Sequence, residues 1–181
     1  MTPAVFFDRD GTLMAEVHYC ADPALVKVYP GVPEALGQLK GAGFRIFVVS
    51  NQSGIARGLL TLEQYRAVER EFLRQIGEGL IDSSYFCADA PEAPSTRRKP
   101  APGMVLEAAA EFDIDLPRSW LVGDKSIDVE CGRRAGTRTI LVTTGYGSQQ
   151  DCLPDYRVQN AVEAAATILQ NCIDHHNQWL I

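Results

Sequence analysis

Hydrophobic positions along the chain fall into two alternating rhythms. Short β-branched and aromatic runs, Ala4-Val-Phe-Phe7, Arg45-Ile-Phe-Val-Val49, Tyr85-Phe-Cys87, Trp120-Leu-Val122 and Thr139-Ile-Leu-Val142, have the length and composition of strands. Longer stretches with a helical period separate them. Thr61-Leu-Glu-Gln64 is a capping box, which predicts a helix over about 62–79. Pro30-Gly-Val-Pro33 opens an earlier helix that ends at Gly41 or Gly43. Pro102-Gly-Met104 opens a third, with Val105, Leu106, Ala109 and Phe112 on its core face. The last sets Val162, Ala165, Ala166, Leu169, Cys172 and Ile173 in one apolar stripe.

Five strands that are nearly continuous apolar runs, each followed by a helix, predict an α/β fold: a doubly wound parallel sheet with helices on both faces. No internal repeat or linker interrupts the pattern, so residues 1–181 are expected to form a single domain. Ligands in such folds bind beyond the carboxyl ends of the strands. The residues that follow each strand are therefore where chemistry is to be sought.

Composition narrows what that chemistry acts on. The chain has 17 Lys+Arg against 23 Asp+Glu, a net charge of −6, which disfavours a surface for nucleic acid or anionic membrane. No apolar run approaches the 18–20 residues or so of a membrane span. The five cysteines, Cys20, Cys87, Cys131, Cys152 and Cys172, are odd in number and contain no C-x-x-C pair, which predicts reduced thiols in a cytoplasmic protein.

Four polar clusters sit at strand ends. The first strand runs into Asp8-Arg-Asp10-Gly-Thr12, two carboxylates whose mutual repulsion calls for a divalent cation such as Mg²⁺. The second ends Ser50-Asn51-Gln-Ser53-Gly54, small residues that suit a backbone nest for phosphate oxygens. A loop after the third contains Arg97-Arg98-Lys99-Pro100, and the fourth strand ends Gly123-Asp124-Lys125-Ser126-Ile-Asp128. Taken singly, each has an ordinary structural use: a solvated Asp-Gly turn, a Ser/Asn/Gly loop, a basic face, a helix cap at Ser126 in which Asp128 takes part. Their coincidence at the carboxyl ends of parallel strands is what points to one site.

Jointly, these motifs resemble the haloacid dehalogenase superfamily over nearly the whole chain. Phe6-Phe-Asp-Arg-Asp-Gly-Thr12, Ser50-Asn-Gln-Ser-Gly-Ile-Ala-Arg-Gly58, Arg98-Lys-Pro-Ala-Pro-Gly-Met104 and Val122-Gly-Asp-Lys125 are most similar to its D-glycero-D-manno-heptose 1,7-bisphosphate phosphatase and histidinol-phosphatase branch. The resemblance implies that Asp8 is the nucleophile that forms an aspartyl phosphate, and that Asp10 is the general acid and then base, kept protonated by neighbouring charge. It implies that Asp8, the Asp10 backbone carbonyl and Asp124 hold Mg²⁺, and that Ser50 and Lys99 hold phosphoryl oxygens. Glu16, His18, Tyr19, Asn51, Ser53, Arg57, Arg98 and Lys125 become candidate substrate contacts, with Asp128 behind the site. The implied partner is a small phosphorylated sugar, with neither nucleic acid nor membrane involved.

Spacing sets the shape of the entrance. The 40 positions from Asp10 to Ser50 and the 49 from Ser50 to Lys99 are filled by loop, helix and strand, leaving no room for a cap domain. The site is expected to be covered only by the segments 14–29 and 88–98. One departure from the branch is large: close relatives carry a zinc loop of form C-x-H and C-x-C ahead of the R-K-P motif. Here Cys87-Ala-Asp-Ala-Pro-Glu-Ala-Pro-Ser-Thr-Arg-Arg98 has one Cys and no His, so structural zinc is expected to be absent.

The motifs favour a heptose bisphosphate, because a second phosphate benefits from basic contacts such as Arg57 and Arg98. Histidinol phosphate or another small sugar phosphate is the alternative within the same chemistry. A receiver-like phospho-acceptor lacks a carboxylate two residues beyond its Asp, and a noncatalytic phosphate-binding module has no need of the complete set. Oligomeric state stays open, with a monomer favoured, and Trp179 and Ile181 of the tail pack either on the domain or on a partner.

Overall fold

The computed structural model describes residues 1–177, with side chains to residue 172; Trp179 and Ile181 lie outside the described residues. Six strands, β1 (Ala4–Phe7), β2 (Arg45–Asn51), β3 (Ser83–Cys87), β4 (Trp120–Gly123), β5 (Arg138–Val142) and β6 (Tyr156–Val158), form one parallel sheet. Their order is β3-β2-β1-β4-β5-β6. The helices are α1 (Val32–Gly41), α2 (Leu62–Ile76), α3 (Gly103–Phe112), α4 (Ser126–Ala135) and α5 (Ala161–Asn177). Successive connections move outward from β1 in one direction as far as β3, then in the other from β4. The crevice between β1 and β4 is the switch point at which such sheets bind ligands.

Strand alternation divides the core in two. Val5, Phe7, Ile46, Val48, Trp120, Val122, Ile140 and Val142 face α1, α2 and α5, whereas Ala4, Phe6, Phe47, Val49 and Leu121 face α3 and α4. Each large side chain withdrawn from water contributes about 1.5–3 kcal/mol before chain entropy is counted, so both layers help to hold the sheet beneath the site. The α2 capping box forms as expected: Gln64 N donates to Thr61 Oγ1 at 3.1 Å, and Thr61 N donates to Gln64 Oε1 at 2.8 Å.

Three expectations are corrected. A sixth strand, Tyr156–Val158, extends the sheet beyond β5; three residues are too few to display a period. The core face of α3 is Met104, Val105 and Ala108, with Ala109 and Phe112 at its margin and Leu106 exposed. In α5 the buried line is Ala161, Ala164, Ala165 and Ile168, flanked by Leu169 and Cys172, while Val162 and Ala166 face solvent. Alanines on both sides of these helices make two faces nearly equal in hydrophobicity, so periodicity fixes the helix but not its rotation. In addition, α2 stops at Ile76, because Gly77 at φ +107° leaves the helix three residues before the expected end. Among the described residues, no helix is long and apolar enough to cross a membrane.

Asp82 ties the amino-terminal edge of the sheet together. Its carboxylate accepts from Lys40 Nζ at 2.8 and 2.9 Å, from Arg45 Nη1 at 2.7 Å and from Ile46 N at 2.7 Å. One side chain thus joins the end of α1, the start of β2 and the approach to β3. Burial by itself raises this carboxyl, but the bonds from Lys40, Ile46 and Arg45 outweigh it and hold it below the usual carboxylate range. Its stabilisation is therefore complete above the ordinary Asp range and is lost as pH falls towards the depressed value. Both cations reach solvent, which limits the loss in Asp82→Ala to about 2 kcal/mol at neutral pH. The expected signature is a shallower decline in Tm between pH 7 and about pH 3 for Asp82→Asn than for the parent chain; parallel declines would show that the carboxylate does not fasten this edge.

Candidate active site

Four charged groups meet at the switch point. Asp8 follows β1, Asp124 follows β4, Asp128 lies in the first turn of α4, and Lys99 precedes α3; all four are buried. The ligand oxygens of Asp8, Asp124 and Asp128 lie within 4.8 Å of one another. Lys99 Nζ sits 2.6 Å from Asp8 Oδ1 and 2.7 Å from Asp128 Oδ1, and donates to Val49 O at 2.8 Å. Burial opposes the charge on Lys99, yet Asp128 and Asp8 overcome it and drive its pKa upward. Asp128 also caps α4, accepting from Lys125 N at 3.0 Å, so its capping and its place behind the site are one arrangement.

Asp124 is the group in need of a further partner. Burial first, and then the negative charge of Asp8, push its carboxyl up to about 7. Its Oδ2 accepts from Tyr146 N at 2.8 Å, while Oδ1 is buried with no hydrogen-bonding partner in the chain. A lone carboxylate oxygen facing a second carboxylate is a donor set for a hard divalent cation, and Mg²⁺ fits it. Two glycines press Asp124 into place. A Cβ on Gly11 would lie 2.4 Å from Asp124 Oδ2 and one on Gly145 only 2.2 Å away, and both residues have positive φ.

The Asp10 carboxylate stands apart from this cluster. It accepts from Arg9 Nε at 3.1 Å, Arg9 Nη2 at 3.2 Å and Gln52 Nε2 at 2.9 Å. Its closest neighbours are thus a guanidinium and an amide, where the sequence reading placed other negative charge, and only its main-chain carbonyl is left as a candidate metal ligand. Gln52 donates from the same nitrogen to Ser50 Oγ at 2.7 Å, linking the Asp10 carboxylate to the Ser50 hydroxyl. Sequence reasoning passed over both Arg9 and Gln52. A signal existed for Gln52, since in an extended chain the second residue after Ser50 returns to the same side. Arg9, by the same alternation, turns away from Asp8 and into the protein.

The outer residues are largely engaged with one another. Asn51 is bound to the Lys99 backbone: its Nδ2 donates to Lys99 O and its Oδ1 accepts from Lys99 N, both at 3.0 Å. Glu16 pairs with Lys125 Nζ at 3.4 Å, and Lys125 lies 4.7 Å from the Tyr146 ring centre. Tyr19, at φ +50°, accepts from Arg57 Nη1 at 2.6 Å, and exposed His18 meets the Tyr19 ring edge-on at 4.2 Å. Gly54 admits that ring, since a Cβ there would lie 2.6 Å from Tyr19 Cδ1. Ser53 contributes its carbonyl to the same turn, accepting from Arg57 N at 3.1 Å.

The segment 88–98 is bound up by polar side chains. Cys87 Sγ donates to Asp89 Oδ2 at 3.3 Å and lies 3.6 Å from Ser95 Oγ. Ser95 Oγ in turn accepts from Arg97 N and Arg98 N, and Arg98 Nη1 donates to Asp89 O at 3.2 Å. Arg98 is therefore held at its backbone and at its side chain. All five cysteines are free thiols.

Comparison with known proteins places this geometry. A family model described as HAD-hydrolase-like matches residues 96–166. The chain is 37% identical over 186 aligned positions to a D-glycero-D-manno-heptose-1,7-bisphosphate 7-phosphatase of Thermosynechococcus vestitus, covering 92% of this chain and 95% of the relative. It is 40% identical to a D-glycero-beta-D-manno-heptose-1,7-bisphosphate 7-phosphatase of Mesorhizobium japonicum, covering 82% and 72%. Among solved structures, a D,D-heptose 1,7-bisphosphate phosphatase from B. bronchiseptica, complexed with magnesium and phosphate, superposes with a TM-score of 0.86 at 29% identity, covering 93% of this chain and 99% of its own.

The glycine cradle around Asp124 yields a direct test. Gly145→Ala forces a methyl onto Asp124 Oδ2, and the affinity for Mg²⁺ measured by calorimetry is expected to fall by about tenfold or more. Unchanged affinity in a folded variant would remove Asp124 from the ligand set.

Proposed function

Because the chain belongs to the haloacid dehalogenase-like phosphatases, we propose that it removes the 7-phosphate of D-glycero-D-manno-heptose 1,7-bisphosphate through an aspartyl phosphate on Asp8. One observation carries the reading: a buried carboxylate at the switch point, Asp8, is faced by an ammonium on one side and by an incompletely satisfied carboxylate on the other. The substrate named for a relative that aligns with 92% of the chain supports the heptose reading.

Asp8 attacks phosphorus in line. As a carboxylate it needs no base to activate it. The bond to the leaving sugar oxygen breaks as that oxygen takes a proton from Asp10. Water then attacks the aspartyl phosphate while Asp10 receives its proton, and free phosphate and the Asp8 carboxylate are restored. Lys99 and the Ser50 hydroxyl hold equatorial oxygens, stabilising charge that spreads over the phosphoryl group. Asp8, the Asp10 carbonyl and Asp124 would hold Mg²⁺, which when bound neutralises the charge that the nucleophile and its target share. Asn51 fixes the backbone of Lys99 and so the reach of its ammonium.

Glu16, His18, Tyr19, Ser53, Arg57, Arg98 and Lys125 surround the mouth and supply contacts for the sugar and its second phosphate. The Cys87–Asp89–Ser95 bonds give the 88–98 segment its closure without a metal. Protein purified without added zinc is expected to contain well under one zinc per chain by elemental analysis; a near-stoichiometric content would overturn this reading of the loop.

A steady-state screen of phosphate release decides the substrate. The highest kcat/KM is expected on heptose 1,7-bisphosphate, and preference for histidinol phosphate would replace the heptose assignment. Asp8→Asn should abolish turnover, and Asp10→Asn should lower it by about 10²–10⁴-fold with the fold intact by circular dichroism. Substantial residual activity in the Asp8 variant would refute the nucleophile.

A further inference from the structure

We infer that Arg9 and Glu69 are positioning residues for Asp10, a buried relay that lets helix α2 aim the general acid. The inference rests on the proposed reaction, in which Asp10 protonates the leaving oxygen.

Arg9 occupies the position between the two reacting carboxylates and is the largest of the fully buried side chains. Its two edges are used separately. The Nε and Nη2 edge meets Asp10, and Nη1 donates to Glu69 Oε2 at 2.9 Å. Glu69 lies 60 residues along the chain, in the middle of α2, and the same oxygen accepts from Tyr65 OH at 3.5 Å. The Tyr65 ring in turn lies beneath the guanidinium, 5.3 Å from Cζ.

A guanidinium is planar and its donors are fixed relative to one another. Fastening Nη1 to α2, with Tyr65 against the face, therefore sets the direction in which the opposite edge presents its hydrogens to Asp10. Gln52 holds the same Asp10 oxygen from the side of Ser50. The carboxylate is thus gripped from two sides, by the residue just after β2 and, through Arg9, by α2, and these contacts contribute no reacting atom. Proton donation needs the acid within hydrogen-bond reach of the leaving oxygen, and a misplacement of about 1 Å costs on the order of 10²-fold. Burial opposes the charge on Arg9, but its neighbours Asp10 and Glu69 more than offset it, so the guanidinium stays a cation between them.

Two conservative variants separate positioning by Glu69 from simple charge balance for a buried arginine. Glu69→Gln keeps an oxygen at the same reach but removes the charge; Glu69→Asp keeps the charge but withdraws the oxygen by one methylene. Each is assayed for kcat/KM on a sugar phosphate and on p-nitrophenyl phosphate, whose leaving oxygen departs without a proton. Positioning predicts that Glu69→Asp loses about tenfold or more on the sugar phosphate and less than about threefold on p-nitrophenyl phosphate, while Glu69→Gln stays close to the parent on both. Loss of equal size on both substrates, or a Glu69→Asp variant that matches the parent, overturns the relay. A parent chain inactive on both substrates removes the proposed reaction and the relay together, whereas an active parent with unchanged ratios in the variants removes the relay alone.

Discussion

The ammonium of Lys99 lies where three otherwise separate pieces of the chain meet, bonded to Asp8 beyond β1, to Asp128 in α4 and to the Val49 carbonyl in β2. Three carboxylates drawn this close in a buried crevice repel one another and lose hydration, each at a cost of several kcal/mol unless cations answer them. Among the described residues, Lys99 is the cation that forms ion pairs with two of them. Asn51 clamps its backbone on both sides, so the ammonium arrives at a fixed height above the sheet. The carboxylate cluster, the orientation of Asp8 and the fit of a divalent ion near Asp124 all follow from a charge that balances two of the three acids and leaves the third facing inward.

The sheet makes that meeting place inevitable. Parallel strands present all their carboxyl ends on one edge, and reversal of the winding between β1 and β4 leaves a gap there that no helix closes. Net acidity is compatible with an anionic ligand under this arrangement, because the buried acids are met locally by Lys99, and Lys125 answers Glu16 beside them. A charge of −6 argues against an extended polyanion surface, and says little about a cleft sized for one phosphoryl group.

Much of this was legible in the residues. Runs such as Arg45–Val49 and Trp120–Val122 are strands because a strand buried on both faces has nothing polar to interrupt it. Asp8, Lys99 and Asp124 were legible because unlike charges at consecutive strand ends have little use except together. What stayed hidden depends on rotation and reach. Alanine-rich α5 has two nearly equivalent faces, so its period could not say whether Val162 or Ala161 turns inward. Asn51 looked like a ligand for substrate because its amide has the right chemistry, yet a backbone 48 residues away claims both of its polar atoms. Arg9 was concealed by its setting: a charged residue between two acids reads as solvent-exposed, and only the position of α2 reveals that it is wholly enclosed.

The contact between Tyr19 and the turn after β2 ties the two sides of the entrance to each other. The ring fits only because residue 54 lacks a side chain, and its hydroxyl is taken by Arg57 from the same turn. The segment after β1 and the segment after β2 are therefore mechanically one piece. A larger residue at 54 expels Tyr19, and a different residue at 19 takes the hydroxyl away from Arg57. A change on one side of this contact calls for a matching change on the other.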